Sequence, residues 1–153
     1  VQSPINAYML NLGPESLHVR MARHCENGQA VAEFLASHPK IAYVNYCGLP
    51  GDKYHAVAEK YLPNGSCGVV SFGVKGGREA AAAFMGHLKI AAIETHVADA
   101  RTCCLHPASS THRQMNDEQL IAAGVQPDLV RMSCGLEDKN DLIHDIAQAL
   151  DQI

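Results

Sequence analysis

The sequence predicts an α/β domain in which helices cover an open β-sheet, on three observations. Residues 127–138 alternate apolar and polar side chains as a half-buried strand does, break at Gly135 and run into acidic residues that open a helix. From Pro14 to Ser37 apolar residues recur at Leu17, Met21, Cys25, Gly28, Val31 or Ala32 and Leu35, one face of a long amphipathic helix whose polar face carries Arg20, Arg23, Glu26 and Glu33. Between these two stretches strand-like and helix-like segments follow one another, the order from which helix-covered sheets are built.

Taken in order, Ile5 to Leu12 reads as a short helix after Pro4 that Gly13-Pro14 stops or kinks, since proline lacks the amide a helix interior needs. The long helix follows, an element that at the start of a small domain serves as the joint to whatever precedes it, and His38-Pro39 ends it. Ile41 to Tyr46 has the alternation and β-branched or aromatic content of a strand. After the turn residues 48–52, Tyr54 to Tyr61 is a short helix closed by Pro63-Asn64-Gly65. Cys67 to Val74 is a second strand, and Gly76-Gly77 turns the chain into an Ala-rich helix from Glu79 to Leu88. Ile90 to Val97 fits either a strand or a connection. Thr102 to Leu105 is a short strand ended by His106-Pro107, and Asn116 with Gln119 forms a capping box for a short helix stopping at Gly124. Asp138 caps a last helix with the apolar face Leu142, Ile143, Ile146, Ala149, Leu150 and Ile153. No repeat or internal boundary appears, so residues 1–153 form one domain, with connecting helices over 1–37 and an α/β sandwich over 38–153.

A hydrophobic content of 47% over 153 residues suffices for one buried core and argues against disorder. The net charge of -4, without a Lys/Arg run, leaves no electrostatic footprint for nucleic acid or an anionic membrane surface. No apolar run is long enough to span a bilayer. Six cysteines scattered through helix-like and strand-like segments, with no signal peptide, read as reduced thiols of a cytoplasmic protein. The chain begins at Val1 in a Ser-Pro stretch, as a trimmed chain or a fragment of a longer protein would.

Arg131 is the residue of most chemical interest. A guanidinium inside an apolar strand needs an anionic partner, and its planar fork suits a carboxylate or phosphate gripped by two parallel hydrogen bonds. The ordinary alternative is a structural arginine at a sheet edge, paired with a nearby Asp or Glu. Cys103, Cys104, His106 and His112 invite a metal reading, but adjacent strand cysteines point to opposite faces and no Cys-x-x-Cys pair supports it, so no metal is expected there. Gly76-Gly77 before a helix resembles half of a phosphate cradle, yet without a Gly-x-Gly-x-x-Gly or Walker pattern it reads as a tight turn.

Several stretches, in this order and spacing, resemble one family: Ser3 to Ala7, Glu15 to Met21 with Arg23 to Asn27, Val44 to Pro50, Gly76-Gly77, Asp99 to Thr102, His106 to His112, and the Arg131 strand. Together they resemble the carboxy-terminal domain of the cysteine/methionine-metabolism pyridoxal-phosphate enzymes, nearest the O-acetylhomoserine sulfhydrylase branch. The resemblance covers nearly the whole chain. It implies the small domain of a fold-type I enzyme, a mixed or largely antiparallel sheet with helices on one face, joined by the long helix to an upstream cofactor-binding domain.

In the resembling enzymes the cofactor ring is an electron sink for the carbanion at the substrate's α-carbon. O-acetylhomoserine then loses acetate from its γ-carbon, and sulfide replaces it to give homocysteine, a step of methionine and cysteine biosynthesis. Arg131 matches the family's carboxylate-binding arginine. A second carboxylate contact, Asn or Ser in the family with a glycine two positions on, aligns with His96 and Ala98; an imidazole there can still donate a hydrogen bond, but it is bulkier and titratable near neutral pH. Ser110 and Thr111, in the polar loop His106 to His112, are by resemblance near the substrate's side chain. None of Lys40, Lys53, Lys60, Lys75, Lys89 and Lys139 lies in a segment matching the family's Schiff-base lysine. The expectation is therefore a chain that is inactive alone and does not retain pyridoxal phosphate. Its expected partners are an amino-acid carboxylate, its own large domain and further copies of itself. A non-catalytic truncated module, acting through self-association or binding to an intact enzyme, is the other reading.

Overall fold

The computed structural model describes all of residues 1–153, and its first helix departs from the expectation. Helix α1 (Pro4–Glu15) opens on Ser3, whose hydroxyl accepts from the Asn6 amide, and runs through Gly13-Pro14 to end at Ser16. A proline inside a helix forfeits one hydrogen bond to the preceding turn. Here the Arg20 side chain satisfies a neighbouring carbonyl, its Nη2 donating to the Gly13 oxygen at 2.9 Å while Nε donates to the Ser16 hydroxyl at 3.2 Å. The joint to helix α2 (Leu17–Ser37) thus falls at Ser16, two residues beyond the proline.

The apolar stripe of α2 is only half buried. Gly28, Val31, Ala32 and Leu35 are buried as expected, whereas Leu17 is 43% exposed and Met21 37%. Between these halves the buried positions are polar: His24 and Asn27. Periodicity identifies a face but not what covers it, and no element of this chain covers the first turns of α2 or any residue of α1.

Five strands, β1 (Ile41–Asn45), β2 (Val69–Val74), β3 (Ala92–Ile93), β4 (Cys103–Leu105) and β5 (Leu129–Ser133), form one sheet in the order β1-β2-β5-β4-β3. All pairs are antiparallel except β3 with β4, which are parallel. This is the mixed, mainly antiparallel sheet expected, and it resolves the ambiguous Ile90–Val97 stretch: two residues pair with β4 and the rest is connection. Strand β5 lies in the middle, Met132 opposite Val70 on one side and Cys104 on the other, Arg131 opposite Ser71 and Leu105.

Helices α3 (His55–Tyr61), α4 (Gly77–His87), α5 (Asp117–Ala122) and α6 (Lys139–Asp151) complete the fold, with a 3-10 turn at Pro107–Ser109 inside the loop predicted after β4. The Asn116 and Gln119 capping box forms at α5, and Asp138 caps α6. Helices α2, α4 and α6 share one face of the sheet. There Val31, Leu35, Phe84, Leu142, Ile146 and Leu150 close over Val70, Phe72, Val130 and Met132. Phe72 and Phe84 meet edge to face, centroids 5.8 Å apart at 82°, the geometry that aligns a ring edge with its neighbour's electron-rich face. The opposite strand positions, including Ser71, Leu105, Leu129 and Arg131, face away from these helices.

One buried carboxylate ties the helical layer together. Asp145 on α6 accepts the amides of Lys89, Ile90 and Ala91 at 2.8, 2.9 and 3.1 Å, fixing the segment between α4 and β3. Asp145→Ala leaves three amides without their acceptor and is expected to cost about 3 kcal/mol, read as a lowered midpoint in urea unfolding.

Candidate functional site

Arg131 occupies the sheet face away from the helices, in the central strand rather than at an edge. Its Nη2 donates to the Thr95 carbonyl at 2.8 Å, and its Nε is buried without a partner. The chain's arginine ion pairs are made by Arg23, Arg78 and Arg101, so Arg131 has no carboxylate of its own. The edge-paired structural arginine is therefore excluded on both counts. Its fork opens into a cleft of about 530 Å³ with apolar walls Val69, Leu105, Pro107 and Leu129 and the polar groups Ser71, Thr95, Thr111 and His112. The guanidinium is half-buried and lines the cleft without a counter-charge, so it can donate toward an incoming anion, and the low-polarity walls strengthen that attraction.

The four site residues expected from sequence are only partly brought together. Thr111 lines the cleft with Arg131, its Oγ1 2.9 Å from His112 Nδ1. Ser110 does not line it and donates instead to the His106 carbonyl at 2.6 Å, which fixes the start of the loop. His96 does not line it either. It is 59% exposed, its Nδ1 lying 2.9 Å from Glu94 Oε2 and 3.4 Å from Asp99 Oδ2, with Arg101 on the same two carboxylates at 3.3 and 3.6 Å. From this segment it is Thr95, one residue earlier, that reaches the cleft. The sequence offered no signal for Thr95, because its contribution is a backbone carbonyl. The walls Val69, Leu105 and Leu129 and the hydroxyl of Ser71 were missed for another reason: they reach the cleft through strand pairing.

The 94–101 loop is fixed from below. Ala98 adopts φ 58°, the left-handed region that L side chains disfavour, and its amide donates to Ser133 Oγ at 3.0 Å. The position aligned with the family's glycine thus has the backbone a glycine would suit. Next to it Glu137 accepts from the Thr102 amide at 2.6 Å and the Thr102 hydroxyl at 2.8 Å, and that hydroxyl accepts from the Gly135 amide at 2.8 Å. From α2, Asn27 Nδ2 donates to the Gly135 and Glu137 carbonyls, both at 2.9 Å, and His24 Nδ1 donates to the Cys134 carbonyl at 2.7 Å. The two polar residues in the stripe of α2 therefore fasten the long helix to the end of the Arg131 strand.

His106 is structural. Buried to 2% exposure, it donates from Nε2 to the Pro127 carbonyl at 2.8 Å and accepts at Nδ1 from Ser109 Oγ at 2.9 Å, the bonding of a neutral ring. Burial holds its pKa below the ordinary 6.5. Cys104 joins the core while Cys103 lies on the opposite side, as alternation requires, and burial pushes the Cys104 thiol far up. Gly76 and Gly77 have φ of 107° and 75°, the tight turn expected. A second cleft, about 590 Å³, carries Cys25, Cys47 and His55, but its charged lining residues, Glu26 and Glu59, are acidic, and the absence of a cation sets it apart from the Arg131 cleft.

The model of the Cys/Met metabolism PLP-dependent enzymes matches residues 1–151. The chain is 45% identical to the O-acetyl-L-homoserine sulfhydrylase of Leptospira meyeri over 152 residues, 99% of this chain and 34% of that protein. It is 39% identical to the L-methionine gamma-lyase of Fusobacterium nucleatum subsp. polymorphum over 153 residues, 100% of this chain and 38% of that protein. Among solved structures, a putative O-acetylhomoserine (thiol)-lyase from Campylobacter jejuni, carrying a pyridoxyl-lysine monophosphate, superposes with a TM-score of 0.88 at 38% identity, covering 97% of this chain and 35% of that one. The chain spans about a third of the length of these relatives.

Two variants probe the site's supports. Since His106 is held neutral, its contribution to stability is complete above about pH 6.5 and declines as pH falls and the unfolded chain takes up the proton first. In urea titrations His106→Gln should therefore lower stability at about pH 8 and flatten the loss between about pH 7 and 5. Ala98→Gly relieves the left-handed strain and should raise the unfolding free energy by about 0.5–1 kcal/mol.

Proposed function

The chain belongs to the Cys/Met metabolism PLP-dependent enzyme family, and on that premise we propose that it is the carboxy-terminal, substrate-carboxylate-binding part of an O-acetylhomoserine sulfhydrylase. The observation that carries the reading is Arg131: a guanidinium in a partly apolar cleft, with a buried free Nε and no carboxylate partner. The two O-acetyl-L-homoserine sulfhydrylases at 45% and 43% identity and a homocysteine synthase at 43% stand above the γ-lyases at 37–40%, which favours replacement at the γ-carbon over elimination.

Arg131 receives the substrate's α-carboxylate by charge-assisted hydrogen bonds, and the Thr95 carbonyl on Nη2 sets the plane of its fork. The apolar walls exclude water from that ion pair, and Thr111 and His112 stand across the cleft, where they contact the rest of the amino acid. His96 is left out of this grip and held on Glu94 and Asp99.

Pyridoxal phosphate supplies the family's electron sink. The groups around Arg131 do not form its site: no lysine lines the cleft, and the only glycine pair before a helix, Gly76-Gly77, is a turn outside it. The chain's own part is confined to holding and orienting the substrate, with the cofactor domain lying upstream. Purified chain incubated with pyridoxal phosphate, desalted and reduced with borohydride should keep its unmodified mass; a stoichiometric adduct at one lysine overturns this division of labour.

A second reading rests on α1. None of its residues is buried, and Ile5, Tyr8, Met9, Leu10 and Leu12 are all 45% or more exposed. Such a surface fits a missing large domain or another copy of the chain. Light scattering of the chain alone and mixed with a separately expressed large domain distinguishes the two. Restored sulfhydrylase activity on mixing supports the enzymatic reading. In the restored enzyme Arg131→Ala should lower kcat/KM by about 10²-fold or more, from loss of a desolvated charge-assisted pair. Arg131→Lys should recover only part, because an ammonium lacks the fork. Unchanged catalysis in Arg131→Ala sinks the carboxylate assignment.

A further inference from the structure

The loop that presents Thr95 to Arg131 carries a set of donors the carboxylate reading does not use. Glu94, His96 and Cys103 each place one ligand atom, a carboxylate oxygen, Nδ1 and Sγ, within 4.8 Å of one another. They come from the end of β3, the exposed loop and the start of β4, and the parallel pairing of β3 with β4 is what brings the glutamate beside the cysteine. A second carboxylate, Asp99, lies 3.4 Å from His96 Nδ1. We propose that Glu94, His96 and Cys103 form a binding site for a divalent transition cation of the zinc class, with Asp99 turning in from beside His96 as the fourth donor.

The chemistry of the donors selects the ion. One thiolate and one imidazole exclude a preference for magnesium or calcium, which take oxygen ligands, whereas sulfur, nitrogen and carboxylate oxygen together are a zinc set. With bonds of about 2.0–2.3 Å, tetrahedral ligand atoms stand about 3.3–3.8 Å apart, so the three donors need to close by about an ångström. His96 Nδ1 and Glu94 Oε2 are already at 2.9 Å.

Arg101 is the present counter-charge, at 3.3 Å from Glu94 and 3.6 Å from Asp99, and the cation displaces it. Cys103 is 1% exposed, and burial together with Asp99 and Glu94 pushes its thiol up, with Arg101 opposing and Glu137 adding to the rise. Its thiol is therefore protonated before binding. One metal–sulfur, one metal–nitrogen and two metal–oxygen bonds form as the ion's water ligands leave, the S–H bond breaks with its proton going to buffer, and His96 takes the tautomer with its proton on Nε2. Affinity consequently rises with pH. Because Thr95 lies between Glu94 and His96 in sequence, a bound cation also holds the loop whose carbonyl orients Arg131.

The test titrates the 153-residue chain with Zn2+ against a chromogenic chelator, and separately with Co2+, whose thiolate complexes absorb in the near ultraviolet. One equivalent of each ion, a sulfur-to-cobalt band, and loss of that band with at least tenfold weaker Zn2+ binding in Cys103→Ser are expected. His96→Asn, at an exposed position that does not threaten folding, should also weaken Zn2+ at least tenfold. Cys47→Ser, remote from the loop, should leave both ions unaffected. Absence of the cobalt band, a band that survives Cys103→Ser or disappears in Cys47→Ser, or Zn2+ binding unchanged by His96→Asn overturns the proposal. None of these readouts depends on sulfhydrylase activity, so the carboxylate reading and the cation site fail separately.

Discussion

The two-residue alternation of β5, held in register from both sides, is the constraint on which the rest of the molecule depends. Paired with β2 on one edge and β4 on the other, the strand has no freedom to slip, because a shift by one residue would send Val130 and Met132 out of the helical core and drive Arg131 into it. Burying an unpaired guanidinium among Phe72, Phe84 and Ile146 would cost far more than a domain's marginal stability can supply. The same alternation that builds the core therefore delivers a cation to the opposite face, where Ser71 and Leu105 flank it.

A second layer of hydrogen bonds converts that placement into a rigid site. Glu137, Thr102, Gly135, Asn27 and His24 join three separate elements: the long helix α2, the start of β4 and the turn between β5 and α6. Buried polar groups of this kind are tolerated only when they are paired, and most of these are. Through Ser133 and the strained Ala98, the network reaches the loop that carries Thr95, so the seating of the long helix and the orientation of Arg131 share one support. The strain at Ala98 is a cost held at the margin of the site, offset by the Ser133 hydrogen bond.

Much of the fold was legible in the sequence. The Asn116 and Gln119 box, the Asp138 cap, the alternation of β5 and the apolar face of α6 are local signals, each set by residues within a turn or two of one another, and all appear as expected. The end of α1 was misplaced, because the Arg20 side chain, seven residues away, supplies the carbonyl partner at the kink. The apolar stripe of α2 was overextended toward Leu17 and Met21, because periodicity does not report whether a partner surface is present. It also passed over His24 and Asn27, which are buried for hydrogen bonds and not for hydrophobicity.

The sequence by itself determined the α/β class, the strand that carries Arg131, and membership of a family whose model matches residues 1–151. Those are properties of spacing and residue type along the chain. Tertiary structure alone decided that Arg131 sits in the middle of the sheet without a counter-ion, that Thr95 rather than His96 shares its cleft, and that Ser110 turns back onto its own loop. The physical reason is that each of these depends on which distant backbone lies alongside. Strand pairing between residues tens of positions apart sets which groups meet, and no local pattern encodes it.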